Sequence, residues 1–138
     1  MLRFASAIAL ALSLAACATT GVPAERTVAV TGSIAYRERI ALPPTAQIEV
    51  RLDDVSRADA PATNMATQSF ASEGKQVPFA FTLTVDRADI DPRHSYAVSA
   101  RITDADGKLM FITDARNSVA FGSDSTVDMG TLVMVKTN

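Results

Sequence analysis

Apolar residues recur at every second position along much of this chain, which is the period of a β-strand with one buried face. The clearest row consists of Val77, Phe79, Phe81, Leu83 and Val85, with Pro78, Ala80, Thr82 and Thr84 between them. Similar rows occupy residues 28–36, 47–53 and 95–102, and weaker ones occupy residues 65–70, 109–113 and 127–135. No segment shows the helical period over a useful length. The pattern predicts an all-β domain of about seven short strands.

Turn-forming residues separate these rows. Pro43-Pro44 stands between the first two, and Asp104-Ala105-Asp106-Gly107 predicts a hairpin turn in which Gly107 adopts a positive φ. Gly32 interrupts the apolar side of the first row and indicates a bulge, whereas Pro78 indicates that its strand lies at an edge or beside a bulge. Short alternating strands joined by turns predict a single antiparallel β-sandwich of the immunoglobulin-like or fibronectin-like type.

Residues 90–98 (IDPRHSYAV) are similar to the approach to the penultimate strand of immunoglobulin-like and fibronectin-like domains. In those domains a tyrosine hydroxyl hydrogen-bonds back to the preceding loop and forms a tyrosine corner. We therefore predict that Tyr96 is a structural corner residue rather than a ligand contact.

The first residues have the pattern of a secretory signal peptide. Arg3 supplies a positive charge, residues 4–14 are uncharged and mostly apolar, and Ala15 and Ala16 follow. Because a bilayer-spanning helix needs about 20 apolar residues, this run is too short for a permanent anchor. We predict that residues 1–16 are a signal peptide.

The sequence Leu14-Ala15-Ala16-Cys17 resembles the bacterial lipobox, in which the cysteine thiol receives a diacylglyceryl group and becomes the first mature residue. Acyl chains anchor such a residue because each buried methylene contributes about 0.8 kcal/mol. Cys17 is the only cysteine, which excludes a disulfide within the domain. Ala18, in place of aspartate, points by resemblance to lipoprotein sorting rules to the outer membrane.

The predicted organisation is therefore a signal peptide (residues 1–16), a lipidated N-terminus and tether (17–26), and a β-sandwich domain (27–138). A tether of nine residues reaches at most roughly 30 Å, so the domain stays near the membrane and faces the periplasm of a Gram-negative bacterium. The chain has 138 residues, enough for one such domain. Its 13 basic and 15 acidic residues leave a net charge of −2, which favours no nucleic-acid partner.

Catalytic chemistry finds little support in the residues present. A hydrolytic triad would depend on His94, the only histidine, and no G-x-S-x-G motif accompanies it. The acidic residues Asp53-Asp54 and Asp86, Asp89 and Asp91 lie at predicted strand ends, where aspartate is a common turn residue. A surface loop histidine and turn carboxylates are the preferred interpretation, so we expect no enzyme.

Metal and cofactor sites are not expected either. One histidine and one acylatable cysteine cannot form the clusters that zinc prefers. Asp104-x-Asp106-Gly107 has part of a calcium-loop pattern, but its glycine comes at position four instead of six. Phosphate-binding glycine-rich loops and basic aromatic patches are lacking in the sequence.

Five segments together resemble the YbaY-type lipoproteins, which carry the domain also called YscW. They are residues 36–44 (YRERIALPP), 52–56 (LDDVS), 59–62 (DAPA), 76–79 (QVPF) and 90–96 (IDPRHSY). The resemblance extends from about residue 28 to residue 135. It implies a lipid-anchored β-sandwich of the envelope, generally without a known enzymatic role. Some members of this group look like pilotins, chaperones that escort a secretin to the outer membrane.

Two functional hypotheses follow. The leading one is a non-catalytic envelope lipoprotein whose sandwich binds a protein or an envelope polysaccharide, for example by accepting a strand at a sheet edge. The alternative is a pilotin for an outer-membrane secretin. Arg37, Glu38 and Arg39 form a possible recognition patch, although a charged strand end that stabilises a turn would have the same sequence.

Overall fold

The computed structural model describes residues 26–138, so the predicted signal peptide, Cys17 and most of the tether lie outside the described residues. Within residues 26–138 the chain forms eight strands and one short 3-10 turn, Arg87–Asp89. The strands are β1 (Thr27–Tyr36), β2 (Gln47–Asp54), β3 (Thr63–Ala71), β4 (Phe79–Asp86), β5 (Tyr96–Thr103), β6 (Leu109–Ile112), β7 (Asn117–Val119) and β8 (Thr126–Lys136). The all-β prediction is confirmed. In this part of the chain, no helix has the length and apolarity needed to cross a membrane.

The strands form two layers that are joined along one side. One layer has the order β4-β1-β8, and the other has β3-β2-β5, with β6 and β7 both paired to β5. β8 connects the layers because Val135 and Lys136, at its end, pair with β6. On the opposite side β3 and β4 are the two ends of the strand order. We call the gap between them the β3–β4 seam.

The pairing of β1 with β8 is parallel, whereas an antiparallel sandwich was predicted throughout. Apolar and polar residues alternate in the same way in parallel and in antiparallel strands, so the sequence pattern does not distinguish the two kinds of pairing. A parallel pair needs a long crossover, and here the chain between β1 and β8 includes all the other strands.

Gly32 lies at an irregularity in this parallel pair, as its sequence position indicated. The register shifts around Gly32 because β8 carries one extra residue there. In β8, Gly130 has a φ of +66° and its amide donates to Asp128 Oδ1 over 2.8 Å. A Cβ on Gly32 would lie 2.7 Å from the Gly130 carbonyl oxygen and 2.9 Å from the Phe81 ring. Close approach of the two strands therefore requires glycine at this position.

The alternating rows pack into one core between the layers. In β4 the apolar residues are buried and the residues between them are exposed, as predicted. Several side chains are almost completely buried, among them Val30, Ile34, Ile48, Val50, Leu52 and Ile102. Across the layers, the rings of Tyr36 and Phe111 stack with centroids 4.0 Å apart.

The turns and the tyrosine corner agree with the sequence predictions. The Ala46 amide donates to the Pro43 carbonyl over 3.0 Å, and Gly107 has a φ of +81° in the β5–β6 turn. The hydroxyl of buried Tyr96 accepts a hydrogen bond from the Asp91 amide over 2.8 Å. The corner assignment is confirmed, and β4, which follows Pro78, is an edge strand.

Candidate functional site

The predicted recognition patch lies in the bend that follows β1. Arg37 and Arg39 are exposed and Glu38 is half-buried. Beside them, the Tyr36 hydroxyl donates to the Ile40 carbonyl over 2.7 Å and pins the bend to the core. Burial raises the pKa of Tyr36, and the nearby Glu38 carboxylate raises it further. The bend that carries the three charged residues is therefore fixed to the core. Their role in recognition stays a prediction.

A cleft lined by both apolar and charged residues opens beside Ile40. It has a volume of about 500 Å³ and lies between β6 and the chain after β8, lined by Ile40, Leu109, Met110, Phe111, Lys108 and Lys136, among others. Ile40, at 39% exposure, is one of the two large apolar side chains that residues 26–138 leave exposed. The sequence did not reveal this cleft, because the residues that line it come from distant segments.

His94 is held between two carboxylates. Its Nδ1 lies 2.6 Å from Asp54 Oδ2, and its Nε2 lies 3.7 Å from Asp91 Oδ2. Asp54 also accepts hydrogen bonds from the Ser56 hydroxyl, over 2.5 Å, and from the Ser56 amide, over 3.0 Å. This cluster ties the end of β2 to the loop before β5.

Hydrogen bonds stabilise the ionised form of both carboxylates. Bonds from Ser56, and after them the bond from His94, lower the pKa of Asp54 to about 2. Bonds from Arg93 lower the pKa of Asp91 to about 2. Such values suit permanent acceptors rather than groups that exchange protons near neutral pH.

The cluster does not have the connections of a hydrolytic relay. The Ser56 hydroxyl bonds to the Asp54 carboxylate and accepts from the Ser95 amide over 2.9 Å, and no bond joins it to the His94 ring. A nucleophile would need the imidazole as its base. His94 is thus a loop residue, as predicted, with two carboxylate neighbours that the sequence did not reveal. Among residues 26–138 no group of three or more potential ligands is arranged to hold a metal ion.

The outer face of β2 and β5 carries a charged groove of about 300 Å³. Arg51 lies 3.4 Å from Asp53, and Arg101 lies 3.8 Å from Glu49. The alternating charges of residues 49, 51 and 53 were visible in sequence as the polar side of a strand. Their pairing with β5 depended on the register of the sheet.

The β3–β4 seam is bridged by side chains. The Thr82 amide donates to Gln68 Oε1 over 2.9 Å, and the rings of Phe70 and Phe79 lie 5.9 Å apart. A cavity of about 350 Å³ lies at the end of the seam where these rings meet. Edge strands that leave main-chain groups unpaired are the usual place for a partner's strand to add.

The fold and these surfaces define a small all-β sandwich domain whose strand order ends at the β3–β4 seam. Residues 25–130 match the model of a family described as type III secretion system lipoprotein chaperone (YscW). The chain belongs to this family, which confirms the resemblance to YbaY-type lipoproteins.

Two relatives extend this finding. The chain is 37% identical over 154 positions to the uncharacterized lipoprotein YbaY of Escherichia coli strain K12, covering 99% of this chain and 80% of that protein. It is also similar to the solved structure of an alternative pilotin from the type II secretion system of Vibrio cholerae. That match has a TM-score of 0.69 and 48% identity, covering 81% of this chain and 100% of the solved chain. One of these relatives is thus a lipoprotein and the other a pilotin.

Proposed function

We propose that this chain is a lipid-anchored, non-catalytic pilotin-type chaperone that binds an outer-membrane secretin. One observation carries the proposal: the 48% identity and shared fold with a type II secretion pilotin along that pilotin's whole solved length. The cleft beside Ile40 and the edge strands β3 and β4 supply surfaces on which a protein segment can bind. The bonding of Ser56 to Asp54 instead of His94 supports a binding role over a hydrolytic one.

The proposal includes the membrane anchor. Residues 1–16 act as the signal peptide, Cys17 carries the acyl chains, and residues 17–26 tether the domain 27–138 on the periplasmic side of the outer membrane. Two or three acyl chains suffice for stable attachment, because single chains bind only marginally. The patch of Arg37, Glu38 and Arg39 is proposed as a secondary contact with the partner.

The test is deletion of the gene in its own host, followed by measurement of the secretin in separated inner and outer membranes. We expect less secretin in the outer membrane, and recovery when the wild-type chain is supplied. Unchanged amounts and assembly of the secretin after deletion would refute the proposal.

The anchor has its own test, Cys17→Ser. Without the thiol no diacylglyceryl group can be attached, so the variant should take up no labelled fatty acid and should accumulate as the uncleaved precursor. The domain should still fold, because residue 17 precedes the strands that residues 26–138 form. Fatty-acid labelling equal to that of the wild type would contradict the lipoprotein assignment.

A second candidate is an envelope lipoprotein whose partner is another protein or an envelope polysaccharide. It is favoured by the 37% identity to YbaY along nearly all of this chain. The deletion experiment separates the two candidates, because this one predicts that the secretin is unaffected.

A further inference from the structure

The strands give the domain two ends, and the tether joins it at one of them. β1 begins at Thr27, directly after the tether, and spans ten residues to Tyr36. Because β4 is antiparallel to β1 and β8 is parallel to it, β4 ends and β8 begins near Thr27. We call this the tether end, and the opposite one, where β1 finishes, the far end. A strand of ten residues separates the two by about 30 Å.

The cleft beside Ile40 lies at the far end. Ile40 follows β1, and the hydrogen bond from the Tyr36 hydroxyl holds it there. Lys136 is the last residue of β8, whose parallel pairing with β1 continues up to Tyr36 and Met134. Lys136 also pairs with Phe111 of β6, so the β5–β6 turn reaches the same end. The cleft is therefore separated from the tether by about the length of β1.

The apolar lining of the cleft is only partly covered. Phe111 is buried, but Leu109 and Met110 are half-buried and Ile40 is exposed. Removing apolar surface from water is favourable in proportion to its area. An apolar side chain of a partner that lies against Ile40 and Leu109 would therefore contribute to binding.

The lysines of the cleft are available to pair with a partner. Lys108 and Lys136 are exposed, and neither forms an ion pair within residues 26–138. The acidic side chain of the lining is Asp104, whose Oδ1 already accepts from the Asp106 and Lys108 amides over 2.9 Å. Its carboxylate thus closes the turn, and the side chains of the lining have a net positive charge. Carboxylates of a partner complement such a surface.

The predicted recognition patch adds positive charge beside the cleft. Arg37 and Arg39 are exposed and precede Ile40, and neither forms an ion pair in the part of the chain that the structure describes. Glu38 is half-buried, and its Oε2 is shielded from solvent. The patch therefore presents mainly its two guanidinium groups. Cations stand on both chain segments that form the cleft, which favours an acidic partner.

We propose that the cleft beside Ile40 binds a segment of the secretin that combines an apolar side chain with flanking carboxylates. The identity of the partner rests on the proposed function. The apolar side chain lies against Ile40 and Leu109, and the carboxylates pair with the two lysines. An anionic lipid would offer the same two chemistries, but in the proposed arrangement the membrane lies at the tether end. The far end faces the periplasm, from which a polypeptide reaches the cleft.

The first experiment is site-specific photo-crosslinking in cells that make the secretin, with the full-length lipoprotein. The crosslinking residue replaces Ile40 or Asn138, which line the cleft, or Ala88, an exposed control at the tether end. We expect secretin adducts from positions 40 and 138 and none from position 88. Adducts mainly from position 88, or adducts from position 40 to a lipid or to a second copy of this chain, would overturn the proposal.

The second experiment reverses the charge of each cleft lysine. Lys108→Glu and Lys136→Glu should each lower the secretin that copurifies with the lipoprotein by about tenfold, because like charges then face each other. Lys75→Glu is the matched control, since this lysine is exposed, forms no ion pair within residues 26–138 and does not line the cleft. It should capture the secretin as the wild type does. Circular dichroism of each purified variant verifies folding; for a variant that does not fold, the crosslinking pattern decides.

A charge swap then tests the pairing directly. The adducts identify the secretin segment, and replacing its acidic residue with lysine should restore capture by Lys108→Glu or by Lys136→Glu. A crosslinked segment without an acidic residue, or a swap that restores capture by neither variant, would contradict the pairing and overturn the proposal.

The outcomes separate this inference from the proposed function. Failure of the wild-type chain to capture the secretin would overturn both. Normal capture by the folded Lys108→Glu and Lys136→Glu variants would overturn the cleft proposal and leave the pilotin role standing. A loss in Lys75→Glu as large as in the cleft variants would indicate a general effect of charge and would also overturn the cleft proposal.

Discussion

Gly32→Ala is the substitution whose effect follows most directly from the geometry. The added Cβ would lie 2.7 Å from the Gly130 carbonyl oxygen and 2.9 Å from the Phe81 ring. The carbonyl belongs to the backbone of β8, which the parallel ladder holds on both sides of the extra residue. Phe81 is a buried member of the core and has little room to move. Relief of the overlap therefore requires separating β1 from β8.

Inserting a methyl group into such a packed position costs about 1–3 kcal/mol of unfolding free energy. For a domain of this size, each kcal/mol lowers the melting temperature by about 4 °C. The expected fall is therefore about 4–12 °C.

Urea denaturation followed by far-ultraviolet circular dichroism measures this difference. Gly122→Ala is the control, because a Cβ there meets nothing within 4 Å and its φ is not positive. Both substitutions reduce the freedom of the unfolded chain equally, so the difference between them reports the overlap alone. Unfolding free energies that agree within about 0.5 kcal/mol would refute the argument.

Two further predictions concern the loop before β5. Tyr96→Phe leaves the Asp91 amide without its acceptor and should lower the unfolding free energy by about 1 kcal/mol in urea denaturation; unchanged stability would contradict the tyrosine corner. Asp54 has a pKa of about 2 in the folded chain against 3.8 ordinarily, so the unfolded chain binds more protons as the solution is acidified. Its stabilising effect should be complete above about pH 4 and be lost as the pH falls through 2. Asp54→Asn should flatten the acid limb of a stability–pH curve relative to the wild type, and a curve of unchanged shape would count against this assignment.

Local features of this chain were readable in its sequence. The alternating row of β4 specifies a strand with one buried face, because side chains of an extended chain alternate between its two sides. The Asp104 to Gly107 turn was readable because a glycine there can adopt the positive φ that the turn requires. Tyr96 was readable because the loop that its hydroxyl contacts lies only a few residues away.

Other features could not be predicted from the sequence, for physical reasons. β7 has three residues, which is too short to display a period of two. His94 and Asp54 are separated by 40 residues, and only the pairing of β2 with β5 brings them together. The cleft beside Ile40 has the same origin, since Ile40 and Phe111 line it from two distant segments of the chain.

By itself the sequence determined the all-β class, most strand positions, the main turns and the family. These depend on residue type and spacing, which act over a few neighbouring positions or recur throughout a family. Only the tertiary structure decided that β8 lies parallel to β1, and that β3 and β4 end the strand order on either side of a seam. Strand partners are chosen by the closure of the whole chain around one core. Alternation of apolar and polar residues is satisfied equally by several partners, so it cannot specify which edge remains open.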